Sequence, residues 1–225
     1  IDFYDPKKTP QSEFHDGTFR HSLFGDVWKD NSDIEYIGGK PDKPILFKGG
    51  DGDDSFSGGA GDDHFSGGGG FNRIMYFDSK DGIFVSNFLT ETGEMSAKIS
   101  DGMGFGAYDT FEKIDNIYGS KEDDFFNLSS DAMGVERILP GFGNDYIEGN
   151  VNVGYWDLVN DPSDPRGDDG HSDRIEDVVS AHIEVILEKG EVHKFVSGGE
   201  NAGEYMDMLV GNRGIYGSEG NDIFN

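Results

Sequence analysis

Gly49-Gly50-Asp51-Gly52-Asp53-Asp54-Ser55-Phe56-Ser57 is followed without a gap by Gly58-Gly59-Ala60-Gly61-Asp62-Asp63-His64-Phe65-Ser66. A third copy, Gly67-Gly68-Gly69-Gly70-Phe71-Asn72-Arg73-Ile74-Met75, has Asn72 where the first two have Asp54 and Asp63. The shared pattern is G-G-x-G-x-D-x-U-x, in which U is large and apolar. The glycines mark tight turns that a Cβ would hinder. Phe56, Phe65 and Ile74 recur at the eighth position, which a flexible glycine-rich linker does not require. They read instead as inward-pointing residues of very short strands in a parallel coil.

The sixth position carries the chemistry. Calcium is a hard cation that takes about six to eight oxygen ligands. Asp54 and Asp63 supply carboxylates, and Asn72 supplies a neutral oxygen as a weaker donor. The carbonyls of Gly50, Gly52, Gly59, Gly61, Gly68 and Gly70 are the remaining candidate ligands. Alternate nonamers are expected to stack on the same side of the coil, with an ion between loops such as those starting at Gly49 and Gly67. The fifth position, as at Asp53, is expected to contribute mainly backbone. An EF-hand is excluded: Asp51-Gly52-Asp53 opens like D-x-D, but the sixth residue is Phe56 rather than glycine.

These nonamers resemble those of the RTX family, the repeats-in-toxin proteins with hemolysin-type calcium-binding repeats. The resemblance extends along residues 45–225. Ile114-Asp115-Asn116-Ile117-Tyr118-Gly119-Ser120 is similar to the family's I-E-N-x-x-G-S segment, which leads back into repeats. A degenerate block follows, in which Asp124, Glu136 and Asp145 stand at sixth positions and Gly141 and Gly143 at turns. A further copy begins at Gly217, with Gly220 and Asp222. Ile117-Tyr118-Gly119-Ser120 matches Ile215-Tyr216-Gly217-Ser218, so a period of about one hundred residues overlies the nonamers. The expected fold is all-β: parallel β-roll or β-solenoid blocks with calcium-binding loops, separated by irregular β spacers. The divisions are an N-terminal cap or linker (1–44), a first block (45–75), a spacer (76–118), a second block (119–150), a second spacer with an acidic loop (151–216) and the start of a third block (217–225). Strands are expected at Gly82–Asn87 and Ile183–Glu188, alongside the rolls. The resemblance implies export by type I secretion, an extracellular or cell-surface location, and a parent protein such as an adhesin, surface-layer protein, toxin or exoenzyme. The absence of an initial Met and the stop inside a repeat read as a fragment of a longer chain.

Composition narrows the partners. Forty-five acidic against 18 basic residues give a net charge of −27. That charge opposes compaction, and bound calcium would offset it, which makes metal binding part of the folding free energy. No basic patch is available for nucleic acid or for anionic membranes. No cysteine is present, which excludes disulfides and thiolate chemistry. No apolar run reaches the ~20 residues of a membrane-spanning helix.

The remaining features point less sharply. Residues 1–44 hold Phe3, Tyr4, Phe14, Phe19, Phe24, Trp28 and Tyr36 and read as a cover for the first roll. The acidic stretch 157–177 reads as a surface excursion, with an additional calcium site as the sharper alternative. The six histidines show no zinc-site spacing. No catalytic residue and no organic cofactor is assigned. Cell-surface polysaccharide and neighbouring subunits are the expected macromolecular partners. The alternative is part of a secreted enzyme or toxin, acting on polysaccharide or cutting itself at Asp5-Pro6, Asp161-Pro162 or Asp164-Pro165.

Overall fold

Eighteen residues separate Ser55 from Arg73 and Leu46 from His64, and each pair stands in parallel register in a computed structural model. Two nonamers therefore make one coil. Each contributes a three-residue strand, with one strand in each of two sheets. A strand this short has one inward side chain, which explains the lone apolar position. Phe47, Phe56, Phe65 and Ile74 are all buried between the sheets. The rings of Phe47 and Phe65 stack at 5.0 Å, and Phe56 lies 5.7 Å from Phe65. The structure describes residues 18–20, 35–37, 46–57, 62–77, 79–89, 95–100, 108–128, 134–158, 180–198, 202–218 and 220–225.

The first sheet runs through β1 (Thr18–Arg20), β2 (Glu35–Ile37), β4 (Ser55–Ser57), β6 (Arg73–Met75), β10 (Asn116–Tyr118), β12 (Arg137–Leu139), β14 (Asn152–Gly154) and β18 (Gly214–Tyr216). Every pairing in it is parallel. Its inner column is Phe56, Ile74, Ile117, Ile138 and Val153, all buried. The coil thus begins before the first nonamer. Tyr36 is in register with Phe56, and Phe19 with Tyr36, so the stretch expected to be a cap or linker supplies two further coil strands.

The second sheet holds β3 (Leu46–Lys48), β5 (His64–Ser66), β7 (Phe84–Leu89), β8 (Met95–Ser100), β9 (Asp109–Glu112), β11 (Phe125–Leu128) and β13 (Tyr146–Gly149). It also holds β15 (Ser180–Ile186), β16 (Glu191–Ser197), β17 (Gly203–Val210) and β19 (Ile223–Phe224). The described residues of the spacers form strands that join the second sheet. In the first, β9 continues the coil by pairing parallel with β5, while β8 and β7 add antiparallel neighbours until β11 resumes beside β7. In the second, β17 pairs parallel with β13, β16 and β15 follow antiparallel, and β19 resumes beside β15. One topology occurs twice, which is the structural content of the hundred-residue period. Meanwhile the first sheet passes straight from β6 to β10 and from β14 to β18. The strands expected at 82–87 and 183–188 do pair alongside the rolls, as β7 beside β11 and β15 beside β19, and they are members of one continuous sheet.

Candidate metal centre

The first block is built for close approach of oxygens. Gly50 donates its N–H to Asp54 Oδ2 at 3.0 Å, which folds the loop back on its own carboxylate. Its carbonyl accepts the N–H of Gly69 on the next coil at 2.8 Å. Gly68 has φ +91° and Gly70 φ +69°, conformations in which an L side chain is strained. A Cβ on Gly68 would land on the carbonyl oxygen of Gly50, and one on Gly70 on that of Gly52. A Cβ on Gly49 would meet both Asp54 Oδ2 and the carbonyl of Gly67. The glycines are required because backbone oxygens and a fully buried carboxylate crowd the space they leave. No three His, Asp or Glu side chains converge among the described residues, so most ligands to a metal here must come from the backbone. The donor set of carbonyl and carboxylate oxygens suits calcium. Asp54 with the carbonyls of Gly50, Gly52, Gly68 and Gly70 would hold it. Asp63 is equally buried on the opposite side. Its loop glycines, Gly59 and Gly61, lie outside the described residues.

The sixth-position side chains do a second job. Several of them accept the N–H of the in-register residue one coil earlier. Asp54 N–H donates to Asn72 Oδ1 at 3.1 Å, and Asn72 N–H to Asp115 Oδ2 at 2.6 Å. On the other side Asp63 N–H donates to Asp109 Oδ1 at 2.8 Å. Farther along, Ile83 N–H donates to Asp124, Asp124 N–H to Asp145 and Asp145 N–H to Asp207, at 2.8, 2.8 and 3.0 Å. Ile183 N–H donates to Asp222 at 2.8 Å. Side-chain ladders thus line both edges of the roll and pair backbone donors that the short strands leave over. Asp109, Asp115 and Asp207 were not assigned from sequence. Each begins a D-x-U triplet (Asp109-Thr110-Phe111, Asp115-Asn116-Ile117, Asp207-Met208-Leu209) without the full set of preceding glycines: of the motif positions only Gly104 before Asp109 and Gly203 before Asp207 are filled. The fifth position also uses its side chain. Asp53 Oδ1 accepts Phe71 N–H, Asp62 Oδ1 accepts Tyr108 N–H and Asp123 Oδ1 accepts Asn144 N–H.

Other assigned residues fare differently. Asn72 turns its amide nitrogen toward the carbonyls of Gly69 and Lys113, at 2.9 and 3.2 Å, so it also caps backbone oxygens as a donor. Asp124 is buried beneath Ser120, whose N–H and hydroxyl donate to it at 2.7 and 2.6 Å. Burial pushes its carboxyl up to about 7, against the lowering effect of these hydrogen bonds, of Ile83 N–H and of Lys194. Glu136 is exposed and stands outside the buried ladder: its side chain is longer than that of Asp, and its N–H bonds to the Asp115 carbonyl at 2.7 Å. Burial raises the Asp115 carboxyl too, with the nearby charges of Glu136 and Asp53 adding to it and the Asn72 N–H opposing it. Gly143, at φ +88°, lies against the Glu122 carbonyl. Gly220 is exposed, and Asp222 accepts the Ser218 hydroxyl at 2.6 Å, as Asp124 accepts that of Ser120.

At Gly141 and Asp145 the fit to calcium fails, because a cation is already in place. Lys194 Nζ lies 2.7 Å from Asp145 Oδ2, 2.7 Å from Asp207 Oδ1 and 2.9 Å from the Gly141 carbonyl. Burial alone would lower the lysine's affinity for its proton, but the two carboxylates outweigh that and hold it above its ordinary range. Burial and the neighbouring Asp207 push Asp145 well up, with Lys194 opposing. One ammonium held between two carboxylates accounts for the lysine's raised affinity for its proton.

Residues 46–74 match the family described as RTX calcium-binding nonapeptide repeat (4 copies). The chain carries RTX repeats. Comparison with curated proteins found no match. The match covers the coils whose glycines and carboxylates form the oxygen cradle, so calcium binding belongs to the RTX block. No helix among the described residues is long and apolar enough to cross a membrane.

Proposed function

We propose that this chain is a calcium-folded structural module of a larger secreted or cell-surface bacterial protein. The reading rests on one observation: fully buried Asp54 lies under glycine-lined loops whose carbonyls approach too closely for any side chain. Cations lower the cost of gathering carboxylates in a buried loop, and a chain of net charge −27 gains from binding them. At low calcium inside the cell the first block stays open and suits passage by type I secretion. At the higher calcium outside, weak modular sites fill and the coil closes. The role is scaffolding, including an adhesive one through cell-surface polysaccharide or neighbouring subunits, and not catalysis. Circular dichroism tests it: β signal should grow as calcium is added to chelated protein, and an unchanged folded spectrum in chelator rejects it.

A further inference from the structure

The second roll carries its own cation. We propose that Lys194 is a resident counter-ion that takes the place of calcium at the Gly141, Asp145 and Asp207 loops, so that this roll holds its packing without metal while the first block requires it. The inference rests on the calcium reading of the first block, and the experiment below reads the two segments separately.

The geometry leaves the ammonium no unmet need. It has three N–H donors, and three oxygens lie within 2.9 Å of Nζ. Those oxygens, two carboxylates and a loop carbonyl, are the donor types of a calcium site. Lys194 is 0% exposed. It lies mid-strand in β16, in phase with the inward residues Val192 and Val196 and hydrogen-bonded on both sides through β15 and β17. The Tyr205 ring sits 5.9 Å from Nζ and Phe142 packs against that ring, so the ammonium is walled from water by aromatic groups. The remaining carboxylate oxygens are also engaged. Asp145 Oδ1 accepts Asp124 N–H, and Asp207 Oδ2 accepts the Tyr155 hydroxyl at 2.8 Å. A calcium ion entering here would have to expel a charged side chain fixed at the centre of a sheet.

The first unit is built on the same plan up to this point. Tyr76 donates its hydroxyl to Asp109 Oδ2 as Tyr155 does to Asp207. Ile99 is in register with Asp109 as Val192 is with Asp207. Two residues beyond Val192 stands Lys194; two beyond Ile99 the sequence has Asp101, which lies outside the described residues. The chain has thus placed opposite charges at matching counts of two spacers that share one strand topology.

Amide hydrogen exchange of the whole chain, in chelator and in millimolar calcium, decides the matter. Peptides covering 141–149, 191–197 and 203–210 should be equally protected in both, while 46–75 gains protection only in calcium. Loss of protection in the first three segments on chelation overturns the proposal. Failure of 46–75 to respond to calcium rejects the first-block reading instead. In Lys194→Ala, the same three segments should lose protection in chelator and regain it in calcium, with one more ion bound per chain than in wild type. Unchanged protection in chelator, or a loss that calcium does not reverse, overturns the exchange of lysine for calcium.

Discussion

Three glycines separate the two reasons for glycine in this roll, and substituting each with alanine tests the calcium cradle. Gly134 has φ +87° and nothing within 4 Å of an added Cβ, so Gly134→Ala costs conformation alone, about 1–2 kcal/mol. Gly49 is not in the left-handed region, but its Cβ would collide with Asp54 Oδ2 and the Gly67 carbonyl. Gly49→Ala is therefore an overpacking change of about 1–3 kcal/mol. The upper end is expected, because the atoms that must move are a buried carboxylate and backbone. Gly68→Ala combines both terms at φ +91° against the Gly50 carbonyl, about 2–5 kcal/mol together. If closing the first block is coupled to one ion, each ~1.4 kcal/mol moves the calcium midpoint about tenfold. Gly49→Ala should then need about ten to one hundred times more calcium to protect 46–75 from amide exchange, and Gly68→Ala still more. Gly134→Ala should leave that midpoint within about twofold while lowering stability in denaturant by its ~1–2 kcal/mol. Equal midpoint shifts in Gly49→Ala and Gly134→Ala would refute the cradle, since only Gly49 touches the oxygens.

Asp54→Ala should remove one calcium in equilibrium dialysis, whereas Asp53→Ala should keep the stoichiometry and lose only the hydrogen bond to Phe71 N–H, about 1 kcal/mol. Magnesium should fail to close the first block at concentrations where calcium does, because it holds its waters and demands octahedral geometry; circular dichroism in each metal checks this. The Asp124 carboxyl is raised in the fold from 3.8 to about 7, so the native state binds the proton more tightly than the unfolded chain. Stability from this group is full below 3.8 and lost as pH rises toward 7, at up to ~1.4 kcal/mol per pH unit, and denaturant melts in chelator at pH 5 and pH 7 should show it. Phe65→Ala should cost about 3–5 kcal/mol, because the ring is wholly buried and stacked on Phe47.

The parts that sequence made legible are those governed by local geometry. A bulky residue every nine positions and glycines at fixed offsets specify three-residue strands and tight loops, and Phe56, Phe65 and Ile74 point inward as read. The Ile-Tyr-Gly-Ser recurrence also marks equivalent places: Asp124 and Asp222 receive the same serine hydroxyl bond. The unread parts depend on distant partners. Asp109 and Asp207 reach their rungs across 46 and 62 residues, and a single motif glycine before each (Gly104, Gly203) is too little to flag them. The antiparallel strands of the spacers are fixed by pairing, which alternation at Ile183–Glu188 announces without saying with what. Lys194 had a local signal: a charged residue stands in phase with Val192 and Val196, where an apolar one belongs. Read alone, that position says only that an anion must be near.

The repeated spacer has a geometrical consequence. Between β6 and β14 the first sheet gains β10, β12 and β14, while the second gains β9, β8, β7, β11 and β13. Neighbouring strands are about 4.8 Å apart, so each unit is roughly 10 Å longer on one face than on the other. Two faces tied together coil by coil cannot differ in length and both stay straight. Each unit is a wedge, and wedges stacked in tandem make an arc with the spacer-bearing face outside. The number of spacers, more than the number of nonamers, sets how far such an arc turns.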